Sequence, residues 1–273
     1  MLSLRAVLVS SSLFACLGCD SAKNYLDPHG PRYAGDYADG PDTMSALPQL
    51  MVVTFNIKFG EAFEAAGEQL ATDPQLSAAD IVLLQEMDAP STDAIAKILS
   101  MSYVYYPGSV QTNGRDFGNA VLSRWPLVAD KKLILPHKNP MDGRIRIAVE
   151  ATVATPLGEL AAYSVHTETP WLGPSARLDQ AAVVIADARA AGRCSLAGGD
   201  FNTSDPGTAE QTIDLFQAGG FDWASSGVGD TAGSFALDHI FVKQLVPLES
   251  GSVDTQASDH RPSWARLQLE PAP

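Results

Sequence analysis

The stretch Ser195-Leu196-Ala197-Gly198-Gly199-Asp200-Phe201-Asn202 leads from a short apolar run into two polar residues. The apolar part is consistent with a buried strand that ends near Asp200 and Asn202. If the backbone stays extended there, these two side chains point to the same face, because alternate residues of a strand share a face. Taken alone, the same residues also suit an Asx-turn or a helix cap. Their meaning depends on what the other strands carry at their ends.

Polar residues of the same kind follow other apolar runs of the chain. These strand-end residues are Asn56, Glu86, His166, Asp238 and the pair Asp259-His260. Each has an ordinary structural explanation on its own, such as a turn residue, a solvated carboxylate or a hydrogen-bonded core histidine. Several apolar runs that all end in carboxylates, carboxamides or imidazoles favour one shared cleft, because loops at strand ends converge in α/β folds.

Strand and helix signals alternate through the main part of the chain, without internal repeats. Apolar runs predict strands at residues 50–55, 81–84, 120–122, 127–135, 144–153, 160–165, 195–197, 237–242 and 264–269. Helical patterns cover residues 61–70, 91–100, 175–189 and 209–218. The alternation within 144–150 is typical of a half-exposed strand. Two packed sheets with helices outside accommodate this order of elements.

The composition is that of a globular protein. The chain has 273 residues, 45% hydrophobic and 18% charged, which suits one large domain or two small ones. The formal net charge is −14 and the isoelectric point is about 4.6. This acidity argues against nucleic-acid binding through a broad basic surface. It does not exclude a nuclease, since a metal ion and a local patch can hold a phosphate.

The N-terminus has the features of a secretory signal over residues 1–18, with one cation at Arg5 and an apolar stretch too short to span a membrane. Leu17-Gly18-Cys19 resembles a bacterial lipobox and predicts cleavage before Cys19 and lipidation of Cys19. Cys16 is a competing site, and a plain signal peptide is the alternative. Cleavage removes one positive charge, which changes the net charge from −14 to −15. Residues 19–48 predict a turn-rich tether, either free or partly packed, to a domain at 49–273.

Seven motifs occur in an order that resembles the endonuclease/exonuclease/phosphatase family. They are Thr54-Phe55-Asn56-Ile57-Lys58, Asp80-Ile81-Val82-Leu83-Leu84-Gln85-Glu86, Gly118-Asn119-Ala120-Val121-Leu122-Ser123-Arg124, Ser164-Val165-His166, Gly199-Asp200-Phe201-Asn202, Leu237-Asp238-His239-Ile240 and Ser258-Asp259-His260-Arg261-Pro262. The resemblance covers about residues 51–269. It implies a DNase I-like four-layer α/β sandwich, in which two mostly antiparallel or mixed sheets lie between helices and the cleft is at one end.

The resemblance also implies a metal-dependent phosphoester hydrolase of the phosphodiesterase or nuclease type, with water as the nucleophile. Glu86 and Asn56 would hold Mg²⁺, for which Mn²⁺ is a possible substitute, and Asp259 would be a further ligand. Oxygen donors of this kind are those that Mg²⁺ prefers. A divalent metal would polarise a phosphoryl oxygen and stabilise the leaving oxygen.

The remaining motif residues would take part in the reaction. In the family, the residues that match Asp200 and Asn202 orient the nucleophilic water and the phosphate, with the aspartate often assigned as base. His260 would contact the scissile phosphate, and Asp238 would hold that imidazole and raise its pKa. His166 would be a second phosphate-binding or acid–base imidazole.

Other polar residues near these motifs carry weaker expectations. Asn119 is expected to hydrogen-bond within the site, and His239 to pack beside it. Lys58, Arg144, Arg146 and Arg261 could supply positive charge to the cleft. Surface solvation is the default for each, although Arg261, beside His260, has the best case. Glu168 is either part of the acidic site or a solvated loop carboxylate.

The motifs leave the substrate open. Ala236-Leu237-Asp238-His239 stands where abasic-site endonucleases of the family usually carry Arg-Leu-Asp-Tyr, and the Trp-Cys-Asp-Arg element of the inositol-phosphatase subgroup is absent from the sequence. Nucleic acid and phospholipid headgroups, including a sphingomyelin-type activity, are both expected candidates.

The expected location is the bacterial cell envelope with a lipid anchor, or the extracellular space if the chain is not lipidated. Either location is compatible with both substrate classes. A non-catalytic surface lipoprotein is the alternative of another class, which the complete motif set disfavours. No obligate protein partner is expected, and the protein is expected to be a monomer.

Overall fold

A computed structural model describes residues 22–38 and 49–269. Within these ranges the strands are β1 (Tyr33–Gly35), β2 (Gln49–Asn56), β3 (Ile81–Met87), β4 (Ser102–Val110), β5 (Asp116–Ser123), β6 (Leu127–Lys138), β7 (Ile145–Thr155), β8 (Gly158–His166), β9 (Cys194–Asp200), β10 (Asp222–Trp223), β11 (Asp238–Lys243), β12 (Leu245–Ser252) and β13 (Ser263–Leu269). The α-helices are α1 (Phe63–Thr72), α2 (Ala89–Leu99), α3 (Pro174–Ala191) and α4 (Pro206–Ala218). Short 3₁₀ turns lie at Lys58–Gly60 and Pro170–Leu172.

The described strands pair into two mixed sheets. The first has the order β1-β4-β5-β3-β2-β13-β12 and the second β10-β11-β9-β8-β7-β6. Each sheet contains one parallel pair, β2 with β3 and β8 with β9, and its other pairs are antiparallel. Helices cover the outer faces, so the molecule is a DNase I-like four-layer sandwich. The predicted fold class is confirmed.

The core lies in three layers because each sheet is covered on both faces. Between the sheets, Val52 and Leu83 pack in one cluster with Val149 and Ile240. Because these strands are buried on both faces, their sequences are continuous apolar runs. Outside the first sheet, helices α1 and α2 close a second cluster. Outside the second sheet, α3 and α4 close a third, whose centre is the stack of Phe216 on Phe241.

Two helices begin at an aspartate whose side chain accepts a backbone N–H of the first turn. Asp88 accepts from Ser91 N, and Asp205 accepts from Thr208 N. Each is followed by a proline in the first turn, where the missing N–H is harmless. Helix α2 therefore begins at Ala89, two residues before the predicted start at 91.

Four strands, β1, β4, β10 and β12, were not predicted, and the predicted exposure of β7 is wrong. β4 and β12 contain Pro107 and Pro247, which signal turns, yet each proline lies at a β-bulge that accommodates it in the sheet. β7 was expected to be half-exposed. It is buried at almost every residue, because its outward-facing side is also covered.

Residues 22–38, within the segment predicted to be a tether, pack onto the domain, which is the partly packed alternative. β1 pairs with β4, and the half-exposed Arg32 makes two hydrogen bonds to Asp130, of 2.7 and 2.6 Å. The buried Lys132 donates to the carbonyls of Tyr25 and Gly30. The signal segment 1–18, Cys19 and residues 39–48 lie outside the described residues. No described helix is long and apolar enough to cross a membrane.

We expect Arg32→Ala to lower the free energy of unfolding by about 1 kcal/mol at neutral pH, since it strips a mostly buried carboxylate of its cation. Burial alone would raise the pKa of Asp130, but Arg32 and Tyr106 outweigh it and lower that pKa below the ordinary 3.8. The pair's contribution is therefore present above pH 3.8 and is lost as the pH falls through the lowered pKa.

Urea unfolding of wild type and variant, at neutral and acidic pH, measures the effect. Arg193→Ala is the control, because Arg193 pairs with the exposed Glu159. Equal losses for the two variants at neutral pH would show that residues 22–38 do not stabilise the domain.

Candidate active site

Strand ends from both sheets meet at one edge of the sandwich. In the first sheet, the parallel pair β2 and β3 carries Asn56 and Glu86 there. In the second sheet, the register sets His166 opposite Asp200, and Asp200 opposite Asp238. An amide links the sheets, since Asn56 Nδ2 lies 3.0 Å from Asp200 Oδ2. Five of the predicted site residues therefore share one location.

Asp200 is the centre of this group and is almost fully buried. Its Oδ2 lies 3.5 Å from His166 Nε2 and 3.8 Å from His260 Nε2, and its Oδ1 accepts from Asn202 N at 2.8 Å. Burial, aided by the negative charge of Asp238, raises the pKa of Asp200 to about 6, although His260 opposes the rise. Above that pH Asp200 is a carboxylate that can accept a proton.

His260 is held by a buried carboxylate. Its Nδ1 lies 2.8 Å from Asp238 Oδ2, and the side chain of Asp238 is 1% exposed. Burial by itself lowers the pKa of His260, but the charges of Asp238 and Asp200 outweigh burial and raise it to about 10. His260 is therefore an imidazolium at neutral pH, with Nε2–H turned toward Asp200.

Arg146 decides which nitrogen of His166 carries the proton. Its Nη1 lies 3.3 Å from His166 Nδ1, and a guanidinium only donates, so Nδ1 accepts and Nε2 holds the hydrogen. Burial lowers the pKa of His166 well below its usual value, and the charges of Arg146 and His260 lower it further. His166 is thus a neutral donor whose Nε2 faces Asp200 at 3.5 Å and Glu86 Oε1 at 4.0 Å.

Glu86 occupies a strained backbone position. Its φ of 59° is in the left-handed region, at an irregularity of the pairing between β3 and β5. The turn directs its carboxylate to Asn56 Nδ2 at 3.3 Å and to the N–H of Phe59 at 3.0 Å. Lys58 and Phe59 also have positive φ. Strain of this kind persists where the surrounding structure enforces it, and it concentrates at functional sites.

The Gly-Asp-Phe-Asn element departs from an extended strand. At Gly199 a Cβ would lie 1.8 Å from Val165 O, so only glycine fits between β8 and β9. Asn202 has a φ of 51°, and its Nδ2 donates to Thr167 O at 3.0 Å. The backbone therefore does not stay extended as far as Asn202, so the condition for the two side chains to share a strand face is not met. Asn202 instead supports Asp200 through its backbone N–H.

Comparison with known proteins identifies the family. Residues 53–260 match the model of the endonuclease/exonuclease/phosphatase family. The chain belongs to this family. Its members are hydrolases of phosphoesters and include phosphodiesterases, nucleases and phosphatases. Among curated proteins, no sequence matches the chain.

Solved structures share the fold at low identity. A family protein from Bacteroides vulgatus is 21% identical, with a TM-score of 0.66 over 81% of this chain and 99% of that one. D. rerio TDP2 complexed with a single-strand DNA product is 14% identical, with a TM-score of 0.63 over 81% and 99%. A mannosyl-6-phosphatase from Bacteroides thetaiotaomicron is 20% identical, with a TM-score of 0.59 over 81% and 100%. At these identities the likeness shows the fold alone.

Two motif residues lie outside the central group. The carboxylate of Asp259 is 60% exposed and lies 3.8 Å from Lys58 Nζ, so it borders the site through Lys58 rather than through Glu86. Asn119 is buried, and its Nδ2 donates to the backbone oxygens of Ile147 and Ser164 in the facing sheet. Asn119 therefore holds the two sheets in register at the site and contacts no other site side chain through this amide.

Two charged residues beside the site are buried, which differs from the surface solvation expected of Arg146 and decides between the two alternatives for Glu168. Arg146 is 8% exposed and Glu168 is fully buried, so neither is a solvated surface residue. They lie 3.5 Å apart, and the described structure offers no hydrogen-bond partner for Arg146 Nε or Glu168 Oε2. Arg144 and Arg146 both lie over the ring of Phe117, at 5.3 Å each. The two-residue spacing of these arginines on a strand was the available signal, because it puts both on one face.

The expected packing of His239 beside the site is what the structure has. Its ring is buried against Phe201, and Nε2 lies 2.8 Å from Thr203 Oγ1. Burial lowers the pKa of His239 to about 4, although Asp238 opposes this. His239 is therefore a neutral core residue beneath the Gly-Asp-Phe-Asn turn.

The donor set fits a divalent metal that keeps most of its own water. Within residues 22–38 and 49–269, no group of three or more Asp, Glu, His or Cys is arranged as a metal site. Mg²⁺ is commonly bound by one or two carboxylates together with waters and substrate phosphate, so a protein cage is not required. The carboxylate of Glu86 and the neighbouring amide of Asn56 supply oxygen donors of that kind.

We expect Asp238→Asn to lower the pKa of His260, because the substitution removes the largest charge that keeps the imidazole protonated. Nitrogen-detected NMR of the imidazole, recorded across pH 5 to 10, follows the titration. In the wild type the ring should remain protonated through pH 8, given a pKa of about 10.

Asp179→Asn serves as control, since Asp179 pairs with the surface residue His137 at 2.8 Å. It should leave the His260 titration unchanged. A wild-type midpoint below about pH 7, the ordinary range of a free histidine, would contradict the assigned charge.

Proposed function

We propose that the chain is a divalent-metal-dependent phosphoester hydrolase of the phosphodiesterase type, with water as its nucleophile. The supporting observation is the pair of unlike imidazoles at Asp200. His260 is a cation and His166 a neutral donor, and their Nε2 atoms lie 3.8 and 3.5 Å from the same carboxylate oxygen. A cation and a neutral donor suit the oxygens of a phosphate, and a carboxylate between them suits a water that must lose a proton.

In the proposed reaction, the water oxygen bonds to phosphorus as the ester P–O bond breaks. Asp200 takes a proton from the attacking water, for which its pKa of about 6 is well placed. Asn56 Nδ2 and Asn202 N hold the carboxylate in place. His260 neutralises the phosphate and gives its Nε2 proton to the leaving oxygen, while Asp238 keeps the ring oriented.

Glu86 and Asn56 would hold the divalent metal, with Mg²⁺ as the first choice and Mn²⁺ as a substitute. When bound, the metal would neutralise charge on a phosphoryl oxygen. The strained turn at Glu86 is compatible with this role, since it directs the carboxylate into the site rather than into a sheet position. Asp259 remains a proposed additional ligand at the rim.

The fold relatives carry different chemistry, so substrate choice must come from this chain's own surface. One of them is described as complexed with a DNA product and another as a mannosyl-6-phosphatase. Nucleic acid and phospholipid headgroup are therefore both tested, with plasmid DNA, RNA, sphingomyelin, phosphatidylinositol phosphates and a chromogenic phosphodiester, each with Mg²⁺ and with Mn²⁺. Absence of hydrolysis for every substrate with both metals would favour a non-catalytic binding lipoprotein.

We expect His260→Ala and Asp200→Ala each to lower kcat by about 10²- to 10⁴-fold, because each removes a group that moves a proton or neutralises the phosphate. Steady-state turnover of whichever panel substrate is cleaved gives the measurement. Circular dichroism and thermal unfolding check that the fold survives.

The matched controls are His137→Ala and Asp179→Ala, which break an imidazole–carboxylate pair of the same 2.8 Å length on the surface. Both should keep near-normal turnover. Near-normal turnover in His260→Ala or Asp200→Ala would refute the assigned roles.

A further inference from the structure

Two large apolar side chains project into solvent at the edge of the sandwich that carries the site. Met141 is 76% and Trp171 75% exposed, more than any other large hydrophobic residue described. Met141 lies in the loop between β6 and β7, and Trp171 in the 3₁₀ turn that follows β8. Exposed apolar side chains of this size, close together in the fold, are typical of a surface that contacts a partner or a membrane.

Both loops are joined to the site. Asn139, at the start of the loop with Met141, donates from Nδ2 to Glu168 Oε1 at 2.9 Å. Glu168 precedes the turn with Trp171 and lies 3.5 Å from Arg146, the residue that orients His166. The two loops and the site therefore form one continuous part of the surface. We use the name apolar rim for Met141 and Trp171 together.

The N-terminal segment is bound to the same loop. Asn24 Nδ2 donates to Gly143 O at 2.9 Å, and Asn24 Oδ1 accepts from Ile145 N at 3.1 Å. The backbone of Asn24 also pairs with Ser109 of β4. These contacts bind the start of the described chain next to the apolar rim, although some 120 residues of sequence separate them.

Chain length then limits how far a lipid anchor could be from the rim. Five residues lead from Cys19 to Asn24, and five residues span at most about 18 Å when fully extended. An acyl chain on Cys19 would keep the loop containing Met141 close to the bilayer surface. Lys23 and Lys138 are exposed at this edge, and anionic lipid headgroups attract such cations.

We propose that the apolar rim rests on the bilayer that holds a lipidated Cys19, so that the site opens toward that membrane and acts on the phosphodiester headgroups of its phospholipids. Docking of the rim depends on the anchor and the exposed side chains. The headgroup substrate rests in addition on the proposed function.

Fluorescence quenching tests the docking. The full-length protein is isolated from a bacterial host in which mass spectrometry detects acylation of Cys19, and is placed in vesicles of phosphatidylethanolamine and phosphatidylglycerol with brominated acyl chains. We expect quenching of tryptophan emission in the wild type, and its loss in Trp171→Phe, because Trp125 and Trp264 are buried and Trp223 is only partly exposed and packs on His239.

A reporter at the far end of the second sheet is the matched control. Val128 is 55% exposed and lies ten residues before Lys138 on β6, about 33 Å away. In the double variant Trp171→Phe/Val128→Trp the new tryptophan should stay unquenched. An unacylated Cys19, an unquenched Trp171, or equal quenching at both positions would overturn the docking.

Turnover tests the substrate. For Met141→Asp and Trp171→Asp, the ratio of turnover on phosphatidylglycerol vesicles to turnover on a soluble chromogenic phosphodiester should fall about tenfold, while Val128→Asp keeps the wild-type ratio. A wild type that cleaves the soluble phosphodiester but not phosphatidylglycerol would refute the headgroup substrate, and an unchanged ratio in the rim variants would refute a role of the rim in reaching it. Quenching of Trp171 in a wild type that cleaves neither substrate would refute the proposed function and leave the docking standing.

Discussion

Buried negative charge at one edge of the sandwich is the constraint on which the site depends. Glu86, Asp200, Asp238 and Glu168 are all mostly or fully withdrawn from water there. Carboxylates in such places are tolerated only with cations or donors in contact. His260 faces two of them, and amides or backbone N–H groups face the others. The turn at Asn202 supplies one of these donors to Asp200, and the strained turn at Glu86 brings its carboxylate to the donors Asn56 Nδ2 and Phe59 N.

Much of the fold was predictable because strands buried on both faces must be continuous apolar runs. β2, β3 and β9 could be recognised in this way, and the four helices followed from their spacing. β4 and β12 were not recognisable, because a proline inside an apolar stretch signals a turn unless a bulge admits it, and bulges depend on the partner strand. The packing of residues 22–38 was equally hidden, since its bonds go to Asp130 and Lys132, far away in sequence.

The part of the site that could be predicted from the sequence consists of polar residues at strand ends, where the residue type alone indicates the chemistry. Asn56, Glu86, His166, Asp200 and Asp238 meet as expected, because register brings strand ends together. The raised pKa of His260 was predicted, because the family motif supplies Asp238 as its partner. The lowered pKa of His166 was not, because it depends on burial and on the contact with Arg146. Burial of Arg146 with Glu168 depends on a contact between β7 and the loop after β8, which no local pattern reveals.

We propose that this acidic group binds one more cation, held by Glu86 and Asn56. Titration of Mn²⁺ followed by electron paramagnetic resonance tests this proposal in wild type, Glu86→Gln and the surface control Asp179→Asn. We expect a bound Mn²⁺ in the wild type and in the control, and an affinity at least about tenfold weaker in Glu86→Gln. Equal Mn²⁺ affinity in Glu86→Gln and wild type would contradict the account.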